Sequence, residues 1–134
     1  MNIIICLDDK NGLIFGTKRQ SRDIKIYERI LENTKGRKLL MNEYSYNLFK
    51  DLNTKINVRN DFLSLAKKKD YCFIENDEFL NYDKFIESIT VYRWNTVYPS
   101  TVRIDEKYLN KRKKISVFEF CGNSHQLITE EVYV

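Results

Sequence analysis

The sequence is poor in residues that punctuate chains and in residues that bind metals: one proline, four glycines, one histidine and three cysteines among 134 residues. The lone histidine, His125, has no cluster of Cys, Asp or Glu beside it. The ligands for a zinc site, and for histidine-rich metallo-hydrolase chemistry, are missing. Cys6, Cys72 and Cys121 show no paired spacing and each lies in or beside an apolar stretch. They are expected to be small buried thiols in strands, in a reducing compartment. No apolar run approaches the roughly 18 residues of a membrane span. The start, MNIIICLDD, has no basic segment and too short an apolar run for a secretory signal. A cytoplasmic location without a membrane partner is the expectation.

Charge of one sign is also scarce. The formal net charge is +4, and the basic clusters (Lys18-Arg19, Lys35 to Lys38, Lys67 to Lys69, Lys111 to Lys114) are scattered. A dedicated nucleic-acid binder concentrates its cations on one face, so neither DNA nor RNA is expected as the main partner. What remains, 43% apolar and 31% charged, is the composition of one globular domain over residues 1–134 with a real core.

Asn2 to Leu7 reads as a buried strand, and Asp8 to Gly12 as a turn in which Asn-Gly supplies positive φ. Ser21 is placed to cap a helix over 22–33, with Ile24, Tyr27, Ile30 and Leu31 at helical spacing and Gly36 beyond its end. A short strand over 38–41, a helix over 44–52 and a strand over 56–58 follow. Asn60 is expected to cap a helix to about Lys68 that turns Phe62, Leu65 and Ala66 inward. Tyr71 to Ile74 and Ile89 to Trp94 are strands, and Thr101 to Ile104 a short edge strand. Ile115 to Phe120 is a strand whose antiparallel partner is 128–134, a short helix being the alternative for that last segment. Strand and helix alternate early and hairpins come late. The expected class is α/β: a mixed sheet flanked by helices, closed by an antiparallel C-terminal hairpin.

Two zones carry the residues best suited to a small flat anion. The loop before the first helix offers Arg19, Gln20, Arg22 and Asp23: guanidinium forks for phosphates, an amide and a carboxylate for a base edge. The strand exit offers Asn42, Tyr44 and Ser45, for stacking and hydrogen bonding. Arg93 and Trp94 end a later strand, with Tyr92 and Trp94 on one face and Arg93 on the other. The same residues would serve equally as solvated loops, caps and core. Asn123, Ser124 and His125 read as a polar hairpin loop.

IIICLDDKNGLIF, Asp23, Thr34-Lys35-Gly36-Arg37, Leu39-Leu40-Met41 and Ser45-Tyr46 together resemble dihydrofolate reductase over about a third of the chain. The resemblance implies that family's fold, a nucleotide cleft and, with Asp23 as proton relay, an NADPH-dependent pterin reductase. Three departures oppose the activity. The family's Pro-Trp is replaced within Gly16 to Gln20, and its Gly-Arg after Met is Asn42-Glu43. Its Gly-Gly pair after the central strand is Glu75-Asn76, where side chains block the backbone approach to a pyrophosphate. The segments QSRD, MNEYSYNLF, ITVYRWNTVYPS and GNSHQLITEEVY also resemble small bacterial and phage proteins of this size, some carrying a ribonuclease label that a chain with one histidine does not support. The combined expectation is a non-catalytic binder of a nucleotide-like small molecule that needs no cofactor. A phage sponge for a cyclic-nucleotide or ADP-ribose immune signal, of the anti-Thoeris type, is its most specific form. The alternative is the divergent reductase. Self-association through exposed C-terminal strands is expected.

Overall fold

The computed structural model describes residues 1–52 and 54–134. In chain order the elements are β1 (Asn2–Leu7), β2 (Gly12–Phe15), β3 (Lys18–Arg19), α1 (Ile24–Asn33), β4 (Leu39–Met41), α2 (Glu43–Tyr46) and β5 (Asn57–Val58). Then come α3 (Phe62–Leu65), β6 (Tyr71–Phe73), β7 (Ser88–Arg93), β8 (Val102–Arg103), α4 (Glu106–Asn110), β9 (Lys114–Phe120) and β10 (Ile128–Tyr133). Short 3-10 segments occupy Lys50–Leu52 and Asp77–Phe85.

The main sheet has seven strands in the order β5-β4-β6-β1-β7-β10-β9, and β3-β2-β8 form a small second sheet. β1 lies at the centre, parallel to β6 and β7, with Ile4 opposite both Phe73 and Thr90. From Ile3 to Leu7 it is apolar because helices and turns cover both its faces. Ile3, Ile5 and Leu7 join Phe62, Leu63, Phe79 and Leu109 on one side. Ile4 joins Ile26, Tyr27, Ile30, Phe49, Phe73 and Trp94 on the other. β10 runs antiparallel to both β7 and β9, which is the expected C-terminal hairpin.

Several local expectations are corrected. α1 is capped by Asp23, not Ser21: Asp23 is extended (φ −155°, ψ 119°) and its carboxylate accepts from the Lys25 N–H. Ile26 replaces Ile24 in the buried stripe, and Ile24 is exposed. The helix expected over 44–52 is α2 followed by a turn and a 3-10 segment, because the chain bends to bury Phe49 between Tyr27 and Phe73. The helix expected to reach Lys68 stops at Leu65, and it buries Leu63 while Leu65 faces out. Lys18–Arg19 is a strand, β3, and α4 has no counterpart in the sequence reading. Cys121 is exposed, whereas Cys72 is buried. In the first turn Asn11 takes the positive φ, 59°. Gly12 is required for a different reason: a Cβ there would lie 2.6 Å from Gln20 Nε2 and 2.7 Å from Asp8 Oδ2.

Candidate functional site

The residues singled out from the sequence fall into three places. The first is the cleft at the carboxyl ends of β1, β4, β6 and β7, the crevice where open α/β sheets commonly bind ligands. β3 delivers Arg19 across its mouth. Arg19 grips Glu75 with Nε at 3.2 and 3.1 Å from the two carboxylate oxygens, and Nη2 at 3.1 Å. The same guanidinium donates to the Tyr44 carbonyl and lies 4.2 Å from the Tyr44 ring centre, while the Tyr44 hydroxyl accepts from the Arg19 N–H. Burial pushes the Glu75 carboxyl up, and the Arg19 fork offsets only part of that rise. Behind the pair lies a cavity of about 20 Å³ walled by Tyr27, Phe73, Trp94, Cys6 and Gln20, room for about one water. Arg19 and Glu75 themselves line this cavity.

Gln20 is anchored by one end only. Its Nε2 donates to Asp8 Oδ2 (3.0 Å) and to the Pro99 carbonyl (3.3 Å). Both neighbours are acceptors, which fixes the amide orientation and leaves Oε1 buried without a partner. Asn42 caps α2 by accepting from the Ser45 N–H at 2.9 Å. The Ser45 side chain is fully buried, and its Oγ also has no partner. Asp8 is saturated. Burial alone would raise its pKa, but the N–H groups of Gly12, Tyr98 and Lys10 and the Gln20 amide together hold it below the usual carboxylate range.

The second place is the junction of the α1 N-terminus with the β9–β10 loop. Asp23, 2% exposed, accepts from the backbone N–H groups of Asn123, Ser124 and His125 at 2.9 to 3.1 Å. It also accepts from Lys25 N and faces His125 Nδ1 at 3.1 Å. Burial opposes its ionisation, but these bonds, led by the Asn123 N–H, outweigh it and hold the pKa below its ordinary value. An ionised Asp23 is acceptor only, so Nδ1 of His125 carries a proton, and in the neutral ring Nε2 is then the acceptor. Ser21 Oγ at 3.1 Å and Tyr98 Oη at 2.8 Å both meet that Nε2, and the Trp94 ring lies 4.7 Å from the imidazole. Arg22, beside this junction, is exposed and borders an open recess of about 590 Å³ together with Ser21, Asn47, Asp51 and Asn123.

The third place is the opposite face of the sheet. Arg93 donates to Glu131 at 2.9 Å, to the Asp8 carbonyl and to Asn11 Oδ1. Lys114 and Tyr133 share the same Glu131. The structure therefore brings Arg19, Gln20, Tyr44 and Trp94 to one cleft with Asn42 and Ser45 beside it, sets Arg22 and Asp23 at its flank, and separates Arg93 from them. The sequence reading missed Ser21, Tyr98 and His125 as one cluster, and Glu75 as a partner of Arg19. Separations of 77 and 104 residues along the chain leave no local pattern to find them by. Among the described residues no group of three His, Cys, Asp or Glu side chains is placed to hold a metal, and no helix is long and apolar enough to cross a membrane.

No family profile matches the sequence, and no curated protein matches it. Solved structures do. A dihydrofolate reductase from Enterococcus faecalis, complexed with NADP(H) and RAB-propyl, superposes with a TM-score of 0.66 at 10% identity, covering 98% of this chain and 94% of that one. At such identity the likeness speaks to architecture alone.

Proposed function

This chain has a dihydrofolate-reductase-like fold, and we propose that it uses the fold to bind a nucleotide-like small molecule rather than to reduce one. The observation that carries the proposal is the pair of orphaned atoms. Buried polar groups are almost always hydrogen-bonded. Among the described residues the buried side-chain atoms without a partner are Gln20 Oε1 and Ser45 Oγ, both from the two zones that the sequence selects. Gln20, which lines the cavity, suits a guest: its Oε1 accepts from an amino group on a base edge, and Tyr27, Phe73 and Trp94 supply an aromatic wall. Glu75 acts as a stand-in anion on Arg19. A ligand phosphate would displace it onto the same planar fork, opening the cleft.

The neighbour's NADP(H) does not suit these residues. The Glu75 side chain, 13% exposed and ion-paired, stands where the resemblance calls for a bare backbone, and Asp23 has its bonding capacity committed to residues 123–125. The most specific form of the reading is a phage sponge that sequesters a cyclic-nucleotide or ADP-ribose-type signal, which a scaffold this small would suit. Isothermal titration against a panel of such messengers tests it. Heat with one of them, and release of that molecule intact on denaturation, is the expected result; no heat across the panel removes the reading. The alternative is a divergent pterin reductase with Asp23 as proton relay. Quenching of Trp94 by NADPH, with NADPH oxidation in the presence of dihydrofolate, would establish it.

Self-association belongs to the same proposal. β9 is an edge strand with Ile115, Val117 and Phe118 exposed. Antiparallel pairing of two copies about Val117 sets Val117 opposite its own copy, with Ile115 facing Glu119 and Phe118 facing Ser116. Sedimentation equilibrium on the native chain and on Val117→Lys tests this, with loss of the dimer expected in the variant.

A further inference from the structure

Beyond ligand binding, we propose that Ser21, His125 and Asp23 form a nucleophilic relay that gives this chain acyl-ester hydrolase reactivity. Nothing in a reductase-like cleft requires these residues, yet their atoms stand in the order such chemistry needs. Asp23 is buried, ionised and held rigid by backbone N–H groups 123–125, and it fixes the His125 ring through Nδ1 at 3.1 Å. Ser124 Oγ, also 3.1 Å from Nδ1, steadies the same edge. The Trp94 ring packs on the imidazole. His125 Nε2 is thereby left facing Ser21 Oγ at 3.1 Å.

Ser21 is half-buried and lines both the small aromatic cavity and the 590 Å³ recess, which puts room for an ester beside a residue whose Oγ meets a general base. Arg22, the next residue, has no ion pair or side-chain hydrogen bond among the described residues and borders the same recess. It is the donor available to a developing oxyanion.

The step balances within these groups. As Ser21 Oγ bonds to the ester carbonyl carbon, its proton passes to His125 Nε2 and the carbonyl π pair moves onto oxygen. Collapse expels the alkoxide, which takes the proton from Nε2. Water then repeats the sequence, releasing the carboxylic acid and restoring Ser21. Tyr98 Oη, 2.8 Å from the same Nε2, competes for the base and keeps the relay partly occupied.

The test uses the full chain with an alkyl fluorophosphonate and with p-nitrophenyl acetate. Peptide mapping should place one phosphonyl adduct on Ser21. Ser21→Ala should lose that adduct and at least tenfold of the esterase rate. His125→Gln should slow labelling about a hundredfold, in the range of general-base contributions. Because His125→Gln also loosens the loop, Tyr98→Phe is the second arm. It leaves the Asp23 clasp intact and should speed labelling severalfold by freeing Nε2, an effect a merely structural cluster would not give. No adduct at Ser21, adducts only on Cys121 or lysines, or an esterase rate unchanged in Ser21→Ala would overturn the proposal.

Discussion

Replacing Asp23 by alanine removes the carboxylate that ties the start of α1 to the β9–β10 loop. Three consecutive backbone N–H groups, at 123, 124 and 125, and the His125 Nδ1–H lose their acceptor together. Removing one partner from a buried charged cluster costs about 3–5 kcal/mol. The penalty of each stranded buried donor, about 1–3 kcal/mol before water relieves it, supports that range. For a chain of this length the midpoint of thermal unfolding should fall by roughly 10–17 °C. Asp23→Asn keeps the volume but turns an NH₂ toward donors, and it should cost nearly as much. Urea unfolding followed by Trp94 emission gives both values. The sign with pH is fixed by the depressed folded pKa of Asp23. Its stabilisation is present above the unfolded carboxyl value, near 3.9, and is lost as pH falls through the lower folded value. The gap between wild type and Asp23→Ala should therefore narrow on acidification below about pH 4. A loss smaller than about 1 kcal/mol, within the ordinary effect of a surface substitution or little above it, or a gap that widens in acid, would refute this account of the clasp.

Arg19→Ala strands the half-buried Glu75 carboxylate and should destabilise at neutral pH by about 2–4 kcal/mol, at or below the range for a fully buried pair. Glu75 already has a raised pKa, so its protonation in acid should make the loss smaller at pH 4.5 than at pH 7, as paired urea titrations would show. Gly122→Ala places a Cβ 2.5 Å from both Asp23 Oδ2 and the His125 carbonyl. It should cost about 2–3 kcal/mol by overpacking, read from the same denaturation curves. Towards a thiol reagent the native chain should show one fast cysteine, the exposed Cys121. Cys72, with its thiol pushed up to about 12 by burial, and the shielded Cys6 should react only on unfolding.

The central strand, the β4 and β6 positions and the antiparallel end of the sheet were legible because continuous apolar runs and period-two alternation survive tertiary packing. The departures have local causes. Ser21 looked like the helix cap because its side chain is of the right kind, but His125 claims that hydroxyl and Asp23 caps instead. Leu65 looked buried from helical spacing, but α3 ends after a single turn. β3 is two residues long and owes its place to pairing with β2, which no window of sequence displays. The grouping of candidate residues holds only in part in space: Arg19, Gln20 and Tyr44 lie close together, while strand alternation sends Arg93 to the other face, against Glu131. Glu75 stands out in sequence only as a side chain where the resemblance calls for glycine, and its role as the counter-ion of Arg19 depends on a contact across 56 residues.

Amide chemical-shift mapping of the isotope-labelled chain tests the central claim most directly. Titration with the messenger that gives heat should move the signals of Arg19, Gln20, Tyr44, Ser45 and Glu75 together as the Arg19–Glu75 pair parts, while NADPH leaves them in place. Shifts at Ile74, Glu75 and Asn76 on adding NADPH, with none from any messenger, would contradict it.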